Sequence, residues 1–349
     1  MELAVRGGGF LLAEVTTDQI YIPEELNEDH LQLKRMTRNF VENEVAPKIE
    51  ELEKQEDGLM AEYMRQAGEL GLLGLEVPEE FGGLSLDKYS TVVVGEEVPR
   101  GASFAVAFAA HTGIGTLPIV YFGTPEQKAK YLPDLASGEK VAAYCLTEPG
   151  SGSDALGAKT TAALNAEGTH YILNGTKQFI TNAGFADIFL VYAKVDGKLT
   201  NFIVERTYPG VSFGPEEQKM GIKGSSTRQV ILEDVKVPVE NVVGEVGKGH
   251  VVAFNILNVG RFKLAAAAIG STQAVLETAL KYASERKQFG VPLTSFGAIQ
   301  AKLAEMATQL YTAESIVYRT AWLMEQGFHG LDLTGDCRKE AGKALEEYA

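Results

Sequence analysis

Tyr144-Cys145-Leu146-Thr147-Glu148-Pro149-Gly150-Ser151-Gly152-Ser153-Asp154 is the stretch whose reading decides the fold. The apolar run from Val141 to Leu146 predicts a strand, and it leads into a loop dense in hydroxyls and glycines. Pro149 cannot donate to a sheet ladder and ends the strand. Gly150 and Gly152 allow a ligand to approach the backbone closely, or a turn with φ > 0. Thr147, Ser151 and Ser153 carry hydroxyls that both donate and accept. Such a loop suits a flat heteroaromatic ring joined to a phosphate. Gly150, Gly152 and Ala155 also meet the spacing of the dinucleotide fingerprint, which requires a following helix and an acidic residue about twenty positions on. Ala158 to Leu164 instead reads as strand, and Asn174-Gly175 as a hairpin turn, so the Rossmann reading is set aside. A Gly/Ser-rich surface turn without a ligand is the plain alternative; the pattern in the rest of the chain argues against it.

Upstream, the chain reads as helices. Phe104 to Phe122 is apolar nearly all round and belongs in the interior; its Gly113 and Gly115 mark close packing or room for a ligand. Thr124 to Leu135 is a short polar helix that closes a first domain. Before these come Asp87 to Val98, Leu59 to Leu70 with Gly71 at its C′ position, a turn at Pro78–Gly83, and Leu26 to Leu52 with Asn27 as N-cap and a kink at Pro47. Residues 1–25 read as an irregular arm. Downstream, from Lys140 to Asn241, the apolar period becomes two, with turns at Asn165–Gly168, Asn174–Gly175, Asp196–Gly197 and Pro209–Gly210, as in packed antiparallel strands. From Gly247 the pattern is helical again, over Val251–Arg286 and Phe296–Gln326, which suggests a bundle. The expectation is an α+β multidomain chain: an N-terminal α-helical domain (1–139), a central antiparallel β-barrel or sandwich domain (140–241) and a C-terminal helical bundle (242–349), incomplete here.

Composition narrows the function. A chain of 349 residues can bury two or three domains. Its net charge of −15 and pI of about 4.9 argue against nucleic acid as a partner. No stretch reads as long and apolar enough to span a bilayer, and Met1 to Glu14 lacks the pattern of a signal peptide. Cys145 and Cys337 make neither a disulfide framework nor a metal set, which fits a reducing cytoplasm. His30, His111, His170, His250 and His329 lack ligand spacing, so no metal is assigned.

Several motifs together resemble the acyl-CoA dehydrogenases over nearly the whole chain: the loop at 144–154, Asn174 to Asn182 (NGTKQFITN), Lys219 to Lys223 (KMGIK), Val237 to Gly249 (VPVENVVGEVGKG), Ile256 to Arg261 (ILNVGR) and Arg286 to Gly290 (RKQFG). KMGIK, GEVGKG and ILNVGR look most like the very-long-chain branch. The resemblance implies FAD as cofactor, held by Tyr144, Leu146, Thr147, Gly152 and Ser153, with Phe179 stacked near the ring where many relatives have tryptophan, and Thr181 at the ring's N5/O4 edge. It implies that Arg286, Gln288 and Phe289 reach the flavin of a neighbouring subunit, hence a homodimer or tetramer. Many relatives have glutamine where Gly297 stands, so one adenine-side contact is absent. Ser153, Asn258 and Arg261 would face the CoA part of the substrate. Val106 and Ala110 stand where medium-chain relatives place polar groups at the floor of the acyl pocket, so their small apolar side chains suggest a deeper tunnel.

The implied reaction takes a proton from the α carbon of a fatty acyl-CoA and a hydride from its β carbon, giving a trans-2-enoyl-CoA, with electrons passed to an electron-transfer flavoprotein. It needs a carboxylate base. Most relatives carry that base in a Glu-Gly-Thr segment that this chain, ending at Ala349, does not contain; two branches place it where Gly260 stands. The expectation is a base beyond Ala349, in a longer natural product, with peripheral membrane contact only through a further C-terminal extension. An acyl-CoA oxidase, or a flavin- or acyl-CoA-binding module without turnover, is the alternative.

Overall fold

The computed structural model describes residues 9, 12, 16, 17 and 20–348. The arm expected over 1–25 therefore lies mostly outside the described residues. Helix α1 (Glu28–Phe40) starts at Asn27, whose side chain accepts the His30 N–H while the His30 ring accepts the Asn27 N–H. The helix continues through a π turn (Val41–Val45) and a tight turn holding Pro47 (Ala46–Lys48) into α2 (Ile49–Glu53), so the proline bends a run that reads as one helix. α3 (Leu59–Glu69) ends at Gly71, and α4 (Lys88–Glu97) starts on the Asp87 side chain. The apolar run forms α5 (Ser103–Ala109), a π turn (Ala110–Gly115) and α6 (Leu117–Phe122); α7 (Pro125–Ser137) follows, capped by Thr124.

Eight strands form one sheet: β1 (Ala142–Cys145), β2 (Thr161–Leu164), β3 (His170–Thr181), β4 (Ile188–Val195), β5 (Lys198–Glu205), β6 (Val211–Phe213), β7 (Thr227–Pro238) and β8 (Val242–Val243). Their order is β6-β7-β3-β2-β4-β5-β8, with β1 on β4, and the sheet does not close into a barrel. Nor is it wholly antiparallel. β1 runs parallel to β4, with Ala142 opposite Ile188, and β2 meets β4 in parallel at Thr161. β1 arrives from the helices rather than through a hairpin, so nothing forces the antiparallel sense.

Asn174-Gly175 is not a hairpin turn either. β3 runs straight through it, paired with β7 along its length, and the register slips between Leu173 and Gly175. A Cβ at Gly175 would collide with the Thr160 hydroxyl, and the Asn174 amide instead bonds across the ladder to Asp234 (3.0 Å). The local turn preference of Asn-Gly loses to a twelve-residue strand pairing. Asp196-Gly197 does make the tight turn between β4 and β5, with φ of 48° and 78°.

The sheet is buried on both faces. Along β4, Ile188, Leu190 and Tyr192 enter a core built with α4, α6, α7 and the C-terminal helices, while Phe189, Val191 and Ala193 enter a second core with α1, α3 and α5. A strand buried on both sides shows a continuous apolar run rather than alternation. His111 pins β1 to the helices: its Nδ1 accepts the Ala142 N–H (3.0 Å), and its Nε2 donates to the Leu135 carbonyl (2.9 Å). A Cβ at Gly115 would lie 2.8 Å from that of Ala142, so this glycine serves close packing.

After the sheet come α8 (Gly249–Glu285), a small ribbon of β9 (Lys287–Gln288) and β10 (Val291–Pro292), α9 (Gly297–Phe328) and α10 (Arg338–Tyr348). Contrary to the sequence reading, two helical runs, Ser103–Phe122 and Gly249–Glu285, are long and apolar enough to cross a membrane by length and composition; 78% and 44% of the respective windows are buried inside the protein. α8 crosses α4 closely, because a Cβ at Gly270 would overlap the Glu96 carbonyl.

Burial depresses the His111 pKa from 6.5 to about 4, against the pull of its bond to Leu135. The stability this neutral ring contributes is present in full above pH 6.5 and is lost as pH falls towards 4, at most about 3 kcal/mol. His111→Gln should therefore lose less stability than the parent between pH 7 and pH 4.5 in urea unfolding. In the same assay Gly270→Ala should cost about 3 kcal/mol by overpacking. Gly297→Ala, where an added methyl meets nothing within 4 Å, should stay within about 0.5 kcal/mol.

Candidate active site

The loop after β1 is built on a short two-way bridge: the Glu148 N–H donates to the Ser151 carbonyl (2.9 Å) and the Ser151 N–H to that of Glu148 (3.1 Å). Pro149 and Gly150 form the exposed corner. The Ser151 hydroxyl donates to the Asp154 carbonyl (2.6 Å), which curls the next residues back. Neither Gly150 nor Gly152 takes a positive φ, and a Cβ on either would meet nothing within 4 Å. Gly150 thus sits in the Pro149-Gly150 turn without needing a left-handed φ, and both glycines leave open space above the loop. Gly152 and Ser153 are exposed there, and Thr147 is half-buried.

Beneath the loop lies a pair that the sequence reading missed. The buried Lys177 ammonium reaches the Glu148 carboxylate (2.8 Å) and the Leu146 carbonyl (3.2 Å). The Glu148 carboxylate also accepts the N–H groups of Lys159 (2.6 Å) and Thr160 (3.0 Å). Burial alone would raise the Glu148 carboxyl, but these N–H groups and the ammonium outweigh it and hold it down at about 2. Lys177 falls in the alternate phase of the buried Tyr171 and Leu173 along β3, and a lysine in that phase is the signal that could have revealed the pair, since a buried ammonium needs a partner.

The loop is joined to β3 where the Gln178 N–H donates to the Thr147 carbonyl (2.9 Å). There the β3–β7 register slips again, between Lys177 and Ile180, and Phe179 takes φ of +58°. Bulges re-aim side chains, and the Phe179 ring is 60% exposed, which rules out a core aromatic. A bulky residue held left-handed with its ring in solvent is strained backbone of the kind found at binding sites. Thr181 ends the strand, half-buried. Asn182, which the sequence reading also gave no role, is buried with φ of +69° and donates to the Ala107 carbonyl (3.0 Å), locking this corner to α5. Tyr144 and Leu146 serve the core: the Tyr144 hydroxyl donates to the Ala253 carbonyl on α8 (3.3 Å), and Leu146 is buried.

On α8, Arg261 donates to Asn258 (2.6 Å), one turn away. Between them, Gly260 faces Ile114, and a Cβ there would lie 3.1 Å from the Ile114 methyl. Val106 and Ala110 are half-buried at helical spacing upstream of Ile114. A separate apolar cavity of about 40 Å³ is walled by Ala105, Phe108, Ala109 and Thr112, together with Val94 and Ala267; neither Val106 nor Ala110 lines it.

Arg286, Gln288 and Phe289 lie elsewhere, at the tip of the α8–α9 hairpin. Phe289 and Gly290 form its two-residue turn, with φ of 53° and 83°, and Phe289 is 93% exposed. Among the described residues no hydrogen bond or ring contact links these three to the 144–154 loop. Likewise, among the described residues no group of three or more His, Cys, Asp or Glu is placed to hold a metal ion.

Family models of the acyl-CoA dehydrogenase N-terminal, middle and C-terminal domains match residues 27–139, 143–235 and 247–338. The chain belongs to the acyl-CoA dehydrogenase family. This is a family of FAD-dependent oxidoreductases. A probable acyl-CoA dehydrogenase of Bacillus subtilis is 54% identical over 99% of this chain and 58% of its own length. The very long-chain specific acyl-CoA dehydrogenase of Bos taurus mitochondria is 44% identical over 91% of this chain and 51% of its own. The chain thus spans little more than half the length of these acyl-CoA dehydrogenases. A crystal structure of an acyl-CoA dehydrogenase complexed with FAD from Bacillus anthracis superposes with a TM-score of 0.95 at 54% identity, covering 99% of this chain and 61% of that one.

Exposed and strained, Phe179 contributes little to folding. Phe179→Gly should leave unfolding stability within about 1 kcal/mol of the parent, yet weaken FAD uptake by on the order of tenfold, as loss of one stacked aromatic does. Flavin fluorescence quenching reads the second effect.

Proposed function

We propose that this chain carries the flavin- and acyl-CoA-binding core of a dehydrogenase that converts long- to very-long-chain fatty acyl-CoA to trans-2-enoyl-CoA in fatty acid β-oxidation. The observation that carries this reading is Phe179, held left-handed and exposed on a bulge that is hydrogen-bonded to the hydroxyl-rich loop. A flat ring would lie against Phe179, with Thr147 and Thr181 at its edge and the backbone of Gly152 and Ser153 open to a phosphate. The open space over Gly150 and Gly152 supports that placement. Bound there, FAD would supply the hydride acceptor for α,β-dehydrogenation.

The chain's own residues bind and orient. Ser153, Asn258 and Arg261 would take the CoA side, and the Arg261–Asn258 bond fixes the guanidinium for an anionic group. Val106 and Ala110 present small apolar surface for the acyl chain, which is the support for a long substrate. Proton abstraction needs a carboxylate, which Gly260 cannot supply.

The exposed Phe289 turn beside Arg286 and Gln288 supports the homodimer or tetramer, with each tip serving a neighbour's flavin. An electron-transfer flavoprotein would be the acceptor, by family likeness. Two unpaired, buried cysteines, Cys145 and Cys337, support a reducing, cytoplasmic location.

Anaerobic titration of the FAD-loaded 349-residue chain with palmitoyl-CoA tests the proposal. A shift of the visible flavin bands without bleaching is expected, and it would mark substrate beside an oxidised ring with no base. Prompt bleaching would place a base within the chain. An unchanged spectrum would overturn the acyl-CoA reading. In light scattering the FAD-loaded chain should run as a dimer or larger; a fully loaded monomer would remove the role given to Arg286, Gln288 and Phe289.

A further inference from the structure

The buried Lys177–Glu148 pair has an orientation, and the orientation has a consequence for the flavin. Its ammonium end lies at the Leu146 carbonyl (3.2 Å), next to Thr147 and two residues before Phe179. Its carboxylate end accepts the N–H groups of Lys159 and Thr160, just ahead of β2. Both side chains are nearly closed to solvent, at 0% and 6% exposure, so little water screens the pair. The cation is thus bonded to the carbonyl just before Thr147, on a residue two before Phe179, and the anion is bonded to the segment just ahead of β2.

We infer that Lys177, held by Glu148, is the positioning residue of the flavin site: it sets the spacing between the Thr147 loop and the Phe179 bulge, and its charge favours the reduced ring. The inference rests on the FAD-dependent reading above. Two-electron reduction adds negative charge to a flavin, and a nearby buried cation stabilises that charge. The geometric part follows from the chain itself. Without the ammonium, the Leu146 carbonyl and the Glu148 carboxylate lose their shared donor, and the loop is left with only the Gln178–Thr147 bond to β3.

The two single substitutions change the charge in opposite senses, which separates electrostatics from damage to the fold. Lys177→Met leaves the Glu148 anion alone, and Glu148→Gln leaves the Lys177 cation alone. The reduction potential of the FAD-loaded chain, measured at pH 7 by equilibration with a reference dye, should fall for Lys177→Met and rise for Glu148→Gln. It should return towards the parent value in the double variant and stay at the parent value in Lys177→Arg. The dissociation constant for FAD should rise on the order of tenfold in Lys177→Met, the usual scale for loss of a supporting contact, and much less in Lys177→Arg.

A purely structural pair would move both single variants in the same direction, and that result overturns the inference. Unchanged potentials in both, with FAD bound, do the same. Should Lys177→Met fail to fold, Glu148→Gln decides alone, because a potential that does not rise is fatal. A parent chain that takes up no FAD overturns the flavoprotein reading as well, which separates the two failures.

Discussion

An ammonium and a carboxylate buried together are tolerated only when nearly every donor and acceptor is used, because both have left water. At Lys177 and Glu148 this condition is met by two backbone N–H groups, from Lys159 and Thr160 just ahead of β2, and one carbonyl, from Leu146 in the candidate site. The pair therefore does more than join two side chains. It ties the first half of the Tyr144–Asp154 loop to β3 and to the segment just ahead of β2. Thr147 and the bulge that carries Phe179 lie on either side of that tie.

The helical frame around it is legible residue by residue. Asn27, Asp87 and Thr124 are short polar side chains directly ahead of apolar periodicity, and each caps a helix. Gly71 ends α3 as its position implies. Such signals are local, so a local reading finds them. The sheet is a different case. Asn174-Gly175 carries a hairpin signal that is overruled by pairing with residues about sixty positions away. The parallel sense of β1 and β4 cannot be seen in either strand alone. Motif likeness located the loop, Phe179 and Thr181, but nothing in the residue string announces a left-handed phenylalanine. That conformation exists only once β3 and β7 have slipped in register.

Burial explains the other omissions. His111 reads as a lone histidine on an apolar helix, and its task depends on two backbone groups from separate segments, Leu135 and Ala142. Asn182 likewise reaches a carbonyl on α5. These side chains join the helical layer to the sheet, and the candidate site lies along that join. Features that position a site across two layers are the ones sequence patterns record least.

The parallel pairing of β1 with β4 also constrains how the polypeptide can be made. β4 is apolar on both faces, and the core on one of them is completed by α8, which starts at Gly249, more than fifty residues after β4 ends. On a ribosome, β4 therefore emerges before that core is complete. During that interval a sticky strand must wait beside an incomplete sheet, with aggregation as the competing outcome. The helices synthesised first already offer β1 as a docking edge and shield one side. The N-terminal layer thus acts as a built-in escort for the middle of the chain, and a fragment cut between α7 and β1 would begin its life without one.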